Sequence, residues 1–518
     1  MMINLKVEAA KIIYIPHDVR PICAEQTAEV VEQAGYKIEM PPEEYFGTTR
    51  HFGEPEKIIE WLETKAESAD AAIISTDSIL YSGLIPSRKH NETEAAIEER
   101  IERIRKLREK NSSLRIYLFS SLMRTPKEGV EGFDEEPEYY VEYGRKIFEI
   151  TMLMDKQEIS KLSGSEQERL EQLQKNIPEW VMKDYFDRRM KNLTATKKFI
   201  EMTSQGYANY LLVGRDDNSP LCQTHKENRE LIKYAEEFHL QKDKFQSLVG
   251  IDEFGLLILT RAINDLNEYE PLINVKYNRG KGGGTIPAYS DETIEESIKN
   301  EIEIAGGKMI DDETKADLIL CVNTDVKGRT FHSHNSLPDN VNYVDEKKLI
   351  EGAKIFSEMI NELIQKNYPI AIADITFANG SDNYLMKNLF ERGLLFKIQS
   401  YSGWNTASNS TGFALGTGIL SNQMKNSAKD KLLVRRYLDD WIYQANVRTL
   451  IGEQLYNTRE GGRSYYKLDE KTSAVEERVT ELMKIEAQKK LPPFDYLKDF
   501  KVKLPWRRMF ECEIKFNS

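Results

Sequence analysis

The chain has 518 residues, with 72 Lys+Arg against 85 Asp+Glu and a formal net charge of −13. Its 40% hydrophobic and 30% charged content excludes a collagenous or disordered chain, and the acidic balance argues against a broad nucleic-acid surface. No apolar run approaches the roughly 20 residues needed to cross a bilayer. Cys23, Cys222, Cys321 and Cys512 lack CxxC spacing, so neither a zinc ribbon nor a disulfide framework is expected. Met1 to Val19 lacks the basic-then-apolar order of a signal peptide. A reduced, cytoplasmic protein with no membrane or nucleic-acid partner is the expectation.

In chain order, the first strand, Ile12–Ile15, runs into Pro16-His17-Asp18-Val19-Arg20-Pro21. Asp18 and Arg20, held between prolines, are candidates to grip a polar ligand through a carboxylate and a guanidinium fork. After a strand at Lys37–Met40, Ala71–Ser75 is followed by Asp77, the Tyr81-Ser82-Gly83-Leu84 run and Arg88. Arg115–Phe119 leads through two serines to Met123-Arg124. Arg20, Arg88 and Arg124 at successive strand exits suggest a pocket for hydroxyls, a carboxylate or a phosphate. Residues 137–205 carry no strand signal and read as a helical excursion. Tyr210–Val213 then opens directly onto Gly214-Arg215-Asp216-Asp217-Asn218-Ser219-Pro220. Neighbouring carboxylates raise one another's pKa unless each has its own task. Asp216 and Asp217 are therefore the expected catalytic acid–base pair. Ser247–Gly250 repeats the theme with Asp252 and Glu253; for Asp252 a helix-capping role is an equal expectation.

The strands Leu272–Tyr277 and Leu318–Val322 end in chemically plain residues. The glycine run Gly280–Gly284 matches neither GxxxxGK[ST] nor GxGxxG, and Pro287 follows before a helix can begin, so a flexible loop or flap is expected rather than a nucleotide site. His332 and His334 sit in a polar loop without a carboxylate cluster; a solvent loop is expected and no metal site is assigned. Ile370–Asp374 ends at Asp374 and continues to Asn379 and Asp382. Phe396–Ser400 leads to Gly403-Trp404-Asn405-Thr406, then Asn409 and Gly412. A Trp among Asn, Ser and Thr is the combination that stacks on a sugar ring and bonds its hydroxyls. From Lys429 a charged helical region precedes an alternating stretch, Phe500–Phe516.

Alternation of apolar strands with amphipathic helices gives an α/β fold with parallel strands covered by helices. The favoured arrangement is a (β/α)8-like barrel from 8–271 plus 365–428, with a small α/β insertion at 272–345 and a C-terminal helical cap at 429–518. Tandem doubly wound, Rossmann-like domains are the alternative. Either places ligands at the carboxyl ends of strands.

Together the segments Pro16–Pro21, Asp77–Arg88, Met123-Arg124, Gly214–Pro220, Gly250–Arg261, Ala373–Asp382 and Gly403–Gly412 resemble a bacterial family, domain of unknown function 4127 (DUF4127), across residues 11–515. Its members show P-x-D-x-R-P, D-x-x-x-Y-G-G-L-x-x-S-R, x-D-D-x-x-P and G-W-N-T-x-x-N. His17 stands where an acidic residue is common, and Ser82 replaces the first Gly of Y-G-G-L. The resemblance implies no activity. A second likeness is to barrel glycosidases that remove N-acetylhexosamine, where one Asp of a pair steers the acetamido group and its neighbour is the general acid/base. The resulting expectation is a carbohydrate-active enzyme, a glycoside hydrolase on a small sugar or glycan fragment, with no cofactor. The alternatives are a lyase or isomerase of sugar acids with a divalent metal on the aspartates, and a non-catalytic sugar-binding protein.

Overall fold

The computed structural model describes residues 10–216, 218–333, 346–456 and 465–516. Nine of the ten strands expected from the sequence are present, with ends shifted by a few residues; the tenth, Phe396–Ser400, is mostly turn, and the strand there is Ser400–Ser402. β1 is Lys11–Ile15, β2 Lys37–Glu39, β3 Ala71–Ser75, β4 Arg115–Leu122, β5 Tyr210–Arg215 and β6 Phe245–Val249. They form one all-parallel sheet in the order β2-β1-β3-β4-β5-β6. The helix Glu94–Lys110 starts at Thr93, whose side chain accepts the Ala96 N–H. It buries Ile97, Ile101, Ile104 and Leu107 at three- and four-residue spacing against this sheet's core. Truncating such a fully buried residue, as in Ile104→Ala, costs about 2–5 kcal/mol.

The second sheet holds β7 (Leu272–Tyr277), β8 (Lys308–Met309), β9 (Leu318–Asn323), β11 (Ile370–Asp374) and β13 (Ser400–Ser402). Its order is β13-β11-β9-β7-β8, again all parallel. Between these in sequence, β10 (Phe331–His332) pairs with β12 (Phe377–Ala378). No closed sheet is found among the described residues. The strands read as a separate insertion at 272–345 are instead central members of this second sheet, β9 pairing with β11 on one side and with β7 on the other. Residues 365–428, expected with the first core, sit in it as well. Local pattern assigns strands but not partners, because a buried parallel strand looks alike in either sheet.

The chain divides into two compact units. The first comprises residues 1–19, 36–258 and 289–291; the second 20–35, 259–288 and 292–518. In the first unit the 137–205 excursion is helical as expected: Tyr140–Ile159, Gly164–Lys175 and Glu179–Ser204, with its own apolar cluster around Ile147, Ile150 and Val181. In the second, the alternating tail forms an antiparallel hairpin of β14 (Phe500–Lys503) and β15 (Glu513–Phe516). Phe500, Val502 and Ile514 point inward and join the unit's main core. No described helix is long and apolar enough to cross a membrane.

Both sheets share a topological feature. From β1 the chain steps to β2 on one side, and from β3 to β4 on the other; from β7 it steps to β8, and from β9 to β11 the opposite way. The carboxyl ends of β1 and β3, and of β7 and β9, therefore flank the points where connection direction reverses, the place where parallel α/β sheets open a ligand crevice.

Candidate functional site

The first unit concentrates charge at this reversal. His17, two residues beyond β1, is fully buried. Its Nε2 lies 3.1 Å from Asp252 Oδ1 and 3.6 Å from Asp18 Oδ2. The backbone here is pinned by two bonds: Ser78 Oγ donates to the Pro16 carbonyl at 2.5 Å and Leu84 N to the His17 carbonyl at 2.7 Å. Asp77 sits in the first turn of the helix Thr76–Tyr81, which Ser75 caps and Ser82, at φ 73°, terminates. Asp77 accepts the Ser121 N–H at 3.0 Å. Burial raises its pKa to about 6, despite that bond and the nearby His17 and Arg88 charges. Desolvation of the anion outweighs the attractions.

Arg88 and Arg124, expected to grip ligand, are each held by protein carboxylates. Arg88 reaches Asp216 at 2.5 Å, Glu135 at 3.1 Å and Glu136 at 3.5 Å. Arg124 binds Glu136 at 2.6 Å and Glu135 at 2.9 Å. A guanidinium with five donors accommodates such a cluster where a lysine would not. Asp216, at the end of β5, keeps 19% of its side chain exposed while Arg88 is 3% exposed. The carboxylate is the accessible partner. Its neighbour Asp217 lies outside the described residues. Arg215 pairs with Asp291 at 3.1 Å.

Beyond β6, Asp252 faces His17, and Glu253 is fully buried with neither carboxyl oxygen hydrogen-bonded to another side chain. Burial pushes the Glu253 pKa well above the usual range, and the Asp252 and Asp216 charges add to it. An ion-paired Asp216, an Asp77 titrating about pH 6 and a Glu253 whose pKa burial raises thus belong to one neighbourhood. Environments that push carboxyls apart are what acid–base chemistry requires.

The remaining residues lie in the second unit. Arg20 is 3.9 Å from Glu511, with its guanidinium over the Trp506 ring at 5.7 Å. Asp374 and Asp382 share one amide: Asn323 Nδ2 donates to Asp374 Oδ1 at 2.9 Å and to Asp382 Oδ2 at 3.2 Å. Asp374 Oδ2 also accepts from Tyr401 and the Asp382 N–H, each at 2.8 Å. Asp382 Oδ1 caps the helix Asn383–Glu391 by accepting the Tyr384 and Leu385 N–H groups. Burial, then the Asp374 charge, brings Asp382 to about 7. Every oxygen of the pair has a protein partner, so the pair's geometry is that of a buried strut.

Asn379, at φ 62°, donates its N–H to the Asn405 carbonyl at 2.7 Å, a conformation Asn tolerates. Trp404 is 2% exposed and packs edge-on against Phe510. The indole face is core, where an open sugar platform was expected. Asn405 is half-buried, and Asn409 is buried in the helix Ala407–Leu420. Beside them Asp440 accepts the Gly403 N–H at 2.7 Å and pairs with Arg436.

Several residues of these networks escaped the sequence reading, Glu135, Glu136 and Asn323 among them. Glu135 and Glu136 sit in an acidic loop that reads as solvated, and only their position opposite two arginines distinguishes them. Asn323 ends a strand that reads as plain. His17 was legible at a strand exit, but its partner Asp252 is 235 residues away.

No curated protein and no solved structure matches the chain. The model of the family described as "Protein of unknown function (DUF4127)" matches residues 12–515, and the chain belongs to that family.

Proposed function

We propose that the first unit carries an acid–base site of glycoside-hydrolase type, acting on a small sugar such as an N-acetylhexosaminide. The observation that carries the reading is the contrast between two carboxyl environments at one sheet edge: Asp216 is ion-paired to Arg88 and reaches solvent, while Asp77 is buried and titrates about pH 6. Asp216, with Asp217, holds or activates the reacting group as a carboxylate. Asp77 exchanges the proton, since a catalytic pKa near the working pH serves transfer in both directions. The lyase or isomerase reading needs arginines free to hold a substrate carboxylate. Arg88 and Arg124 already bind Glu135, Glu136 and Asp216, which favours a neutral, hydroxyl-rich substrate. Two doubly wound units fit the strand orders better than a barrel.

The test is turnover of chromogenic glycosides and small cell-wall fragments by wild type, Asp216→Asn and Asp217→Asn. The expected result is cleavage by wild type and a loss of about 100-fold or more in Asp216→Asn, the scale of removing a general acid or base. Equal activity in all three proteins would refute the assignment.

A further inference from the structure

Beside the edge strand β13, the second unit holds a cavity with about 320 Å³ of empty space, part of it open to solvent. Three helices wall it, each through two residues four apart, a spacing that places both on one helix face. Glu25–Gln33 contributes Gln26 and Val30, Ala407–Leu420 contributes Phe413 and Thr417, and Asn426–Arg436 contributes Leu432 and Arg436. The second of these helices lies close on the sheet at Gly418. A Cβ there would stand 2.7 Å from Leu318 Cδ2 and 3.1 Å from Ala371 Cβ. With Leu433 added to Val30, Phe413 and Leu432, the walls are mostly apolar.

The polar groups on these walls are almost all committed to the protein. Ser400 Oγ donates to the Ala414 carbonyl at 2.6 Å, and the Tyr401 hydroxyl donates to Asp374 at 2.8 Å. Arg435 pairs with Glu29 at 2.7 Å, and Arg436 pairs with Asp440 and, at 3.1 Å, with Asp439. Gln26 accepts from Arg436 and donates to Asp439 at 3.4 Å. Two groups remain. Thr417 is 6% exposed, and its Oγ1 has no hydrogen-bond partner among the described residues. A threonine inside a helix can return its hydroxyl to the carbonyl four residues back, as Thr411 does to Ala407 at 3.0 Å in the same helix. Thr417 does not. Gln399 accepts from Lys429 at 3.0 Å and from Ser421 at 3.3 Å through its amide oxygen, which leaves its NH2 group to donate. A buried hydroxyl without a partner costs free energy that a bound molecule can recover.

We infer that this cavity binds a small neutral molecule with an apolar body and one oxygen-bearing end, the class to which phenol belongs. The apolar walls hold the body, while Thr417 Oγ1 and the Gln399 NH2 group bond the oxygen. Both arginines on the walls already have carboxylate partners, so an anionic ligand would be desolvated there without a free countercharge. Apolar lining with a few convergent polar groups is the usual make-up of a small-molecule site. The residues involved play no part in the proposed hydrolase chemistry, so either reading can fail alone.

The test is isothermal titration of the full chain with phenol and with toluene, which is similar in size and lacks the hydroxyl. The proteins are wild type, Thr417→Val, Val30→Phe and a control, Lys299→Ala. Saturable binding of phenol to wild type is expected, with toluene about tenfold weaker, the scale of one hydrogen bond. Thr417→Val keeps the side chain's shape and should weaken phenol about tenfold without weakening toluene. Val30→Phe should fill the cavity and abolish binding of both, and Lys299→Ala should change neither. Urea unfolding checks that each variant is folded. Should Val30→Phe fail to fold, Thr417→Val still decides, because removing an unpartnered buried hydroxyl leaves no new group unsatisfied. Absence of saturable phenol binding, or phenol binding that Thr417→Val or a folded Val30→Phe leaves intact, overturns the inference.

Discussion

Asp77→Asn should make the protein more stable at neutral pH while impairing its chemistry. Asp77 is 2% exposed, and burial moves its pKa from the ordinary 3.8 to about 6. Between these values the folded state holds a proton that the unfolded chain has released. Wild-type stability therefore falls as pH rises through this window. The shift of about 2 units corresponds to about 3 kcal/mol, at 1.36 kcal/mol per unit. Asn carries no charge and its side-chain oxygen still accepts the Ser121 N–H. The variant should match wild type at pH 3–4, gain on it progressively, and lead by about 2–3 kcal/mol above pH 7. Urea unfolding followed by circular dichroism at a series of pH values measures the difference directly. A variant less stable than wild type at pH 8, or a difference independent of pH, would refute the reasoning that burial dominates at this carboxyl.

Arg88→Ala leaves Asp216, Glu135 and Glu136 without their shared guanidinium. A loss of about 3–5 kcal/mol is expected, read from urea midpoints, and Arg88→Lys should restore only part of it because one ammonium cannot span three carboxylates. At Gly255 a Cβ would meet the Tyr14 hydroxyl at 2.0 Å. Gly255→Ala should therefore cost about 1–3 kcal/mol, and adding Tyr14→Phe should recover part of that, so that the double variant loses less than the sum of the two single changes.

The strands were legible because fully buried parallel strands are short apolar runs bounded by polar exits, as in Ala71–Ser75 and Ile370–Asp374. Their assembly was not. The side-chain pattern of β9 is equally compatible with a barrel, an insertion or the centre of a sheet, and only its pairing with β7 and β11 decides. The candidate site residues followed the same division. Asp77, Arg88, Asp216, Asp252 and Glu253 announce themselves as polar groups at strand exits. Glu135 and Glu136 do not, because a run of acids in a loop carries the same local signal whether it faces water or a guanidinium. Trp404 misleads for a related reason: Asn, Ser and Thr around an indole suit a sugar pocket, yet they suit a buried turn equally well when backbone groups satisfy them. Composition reports which chemistry is possible at a position, and burial decides which is used.

The most direct measurement is the pH dependence of kcat/KM for whichever glycoside the screen identifies, in wild type and in Asp77→Asn. The proposed site requires a wild-type limb near pH 6, set by Asp77, that disappears in Asp77→Asn with a fall in rate of about 100-fold. A profile without that limb, or one that Asp77→Asn leaves unchanged, would contradict the assignment of this carboxyl, and with it the acid–base site, to catalysis.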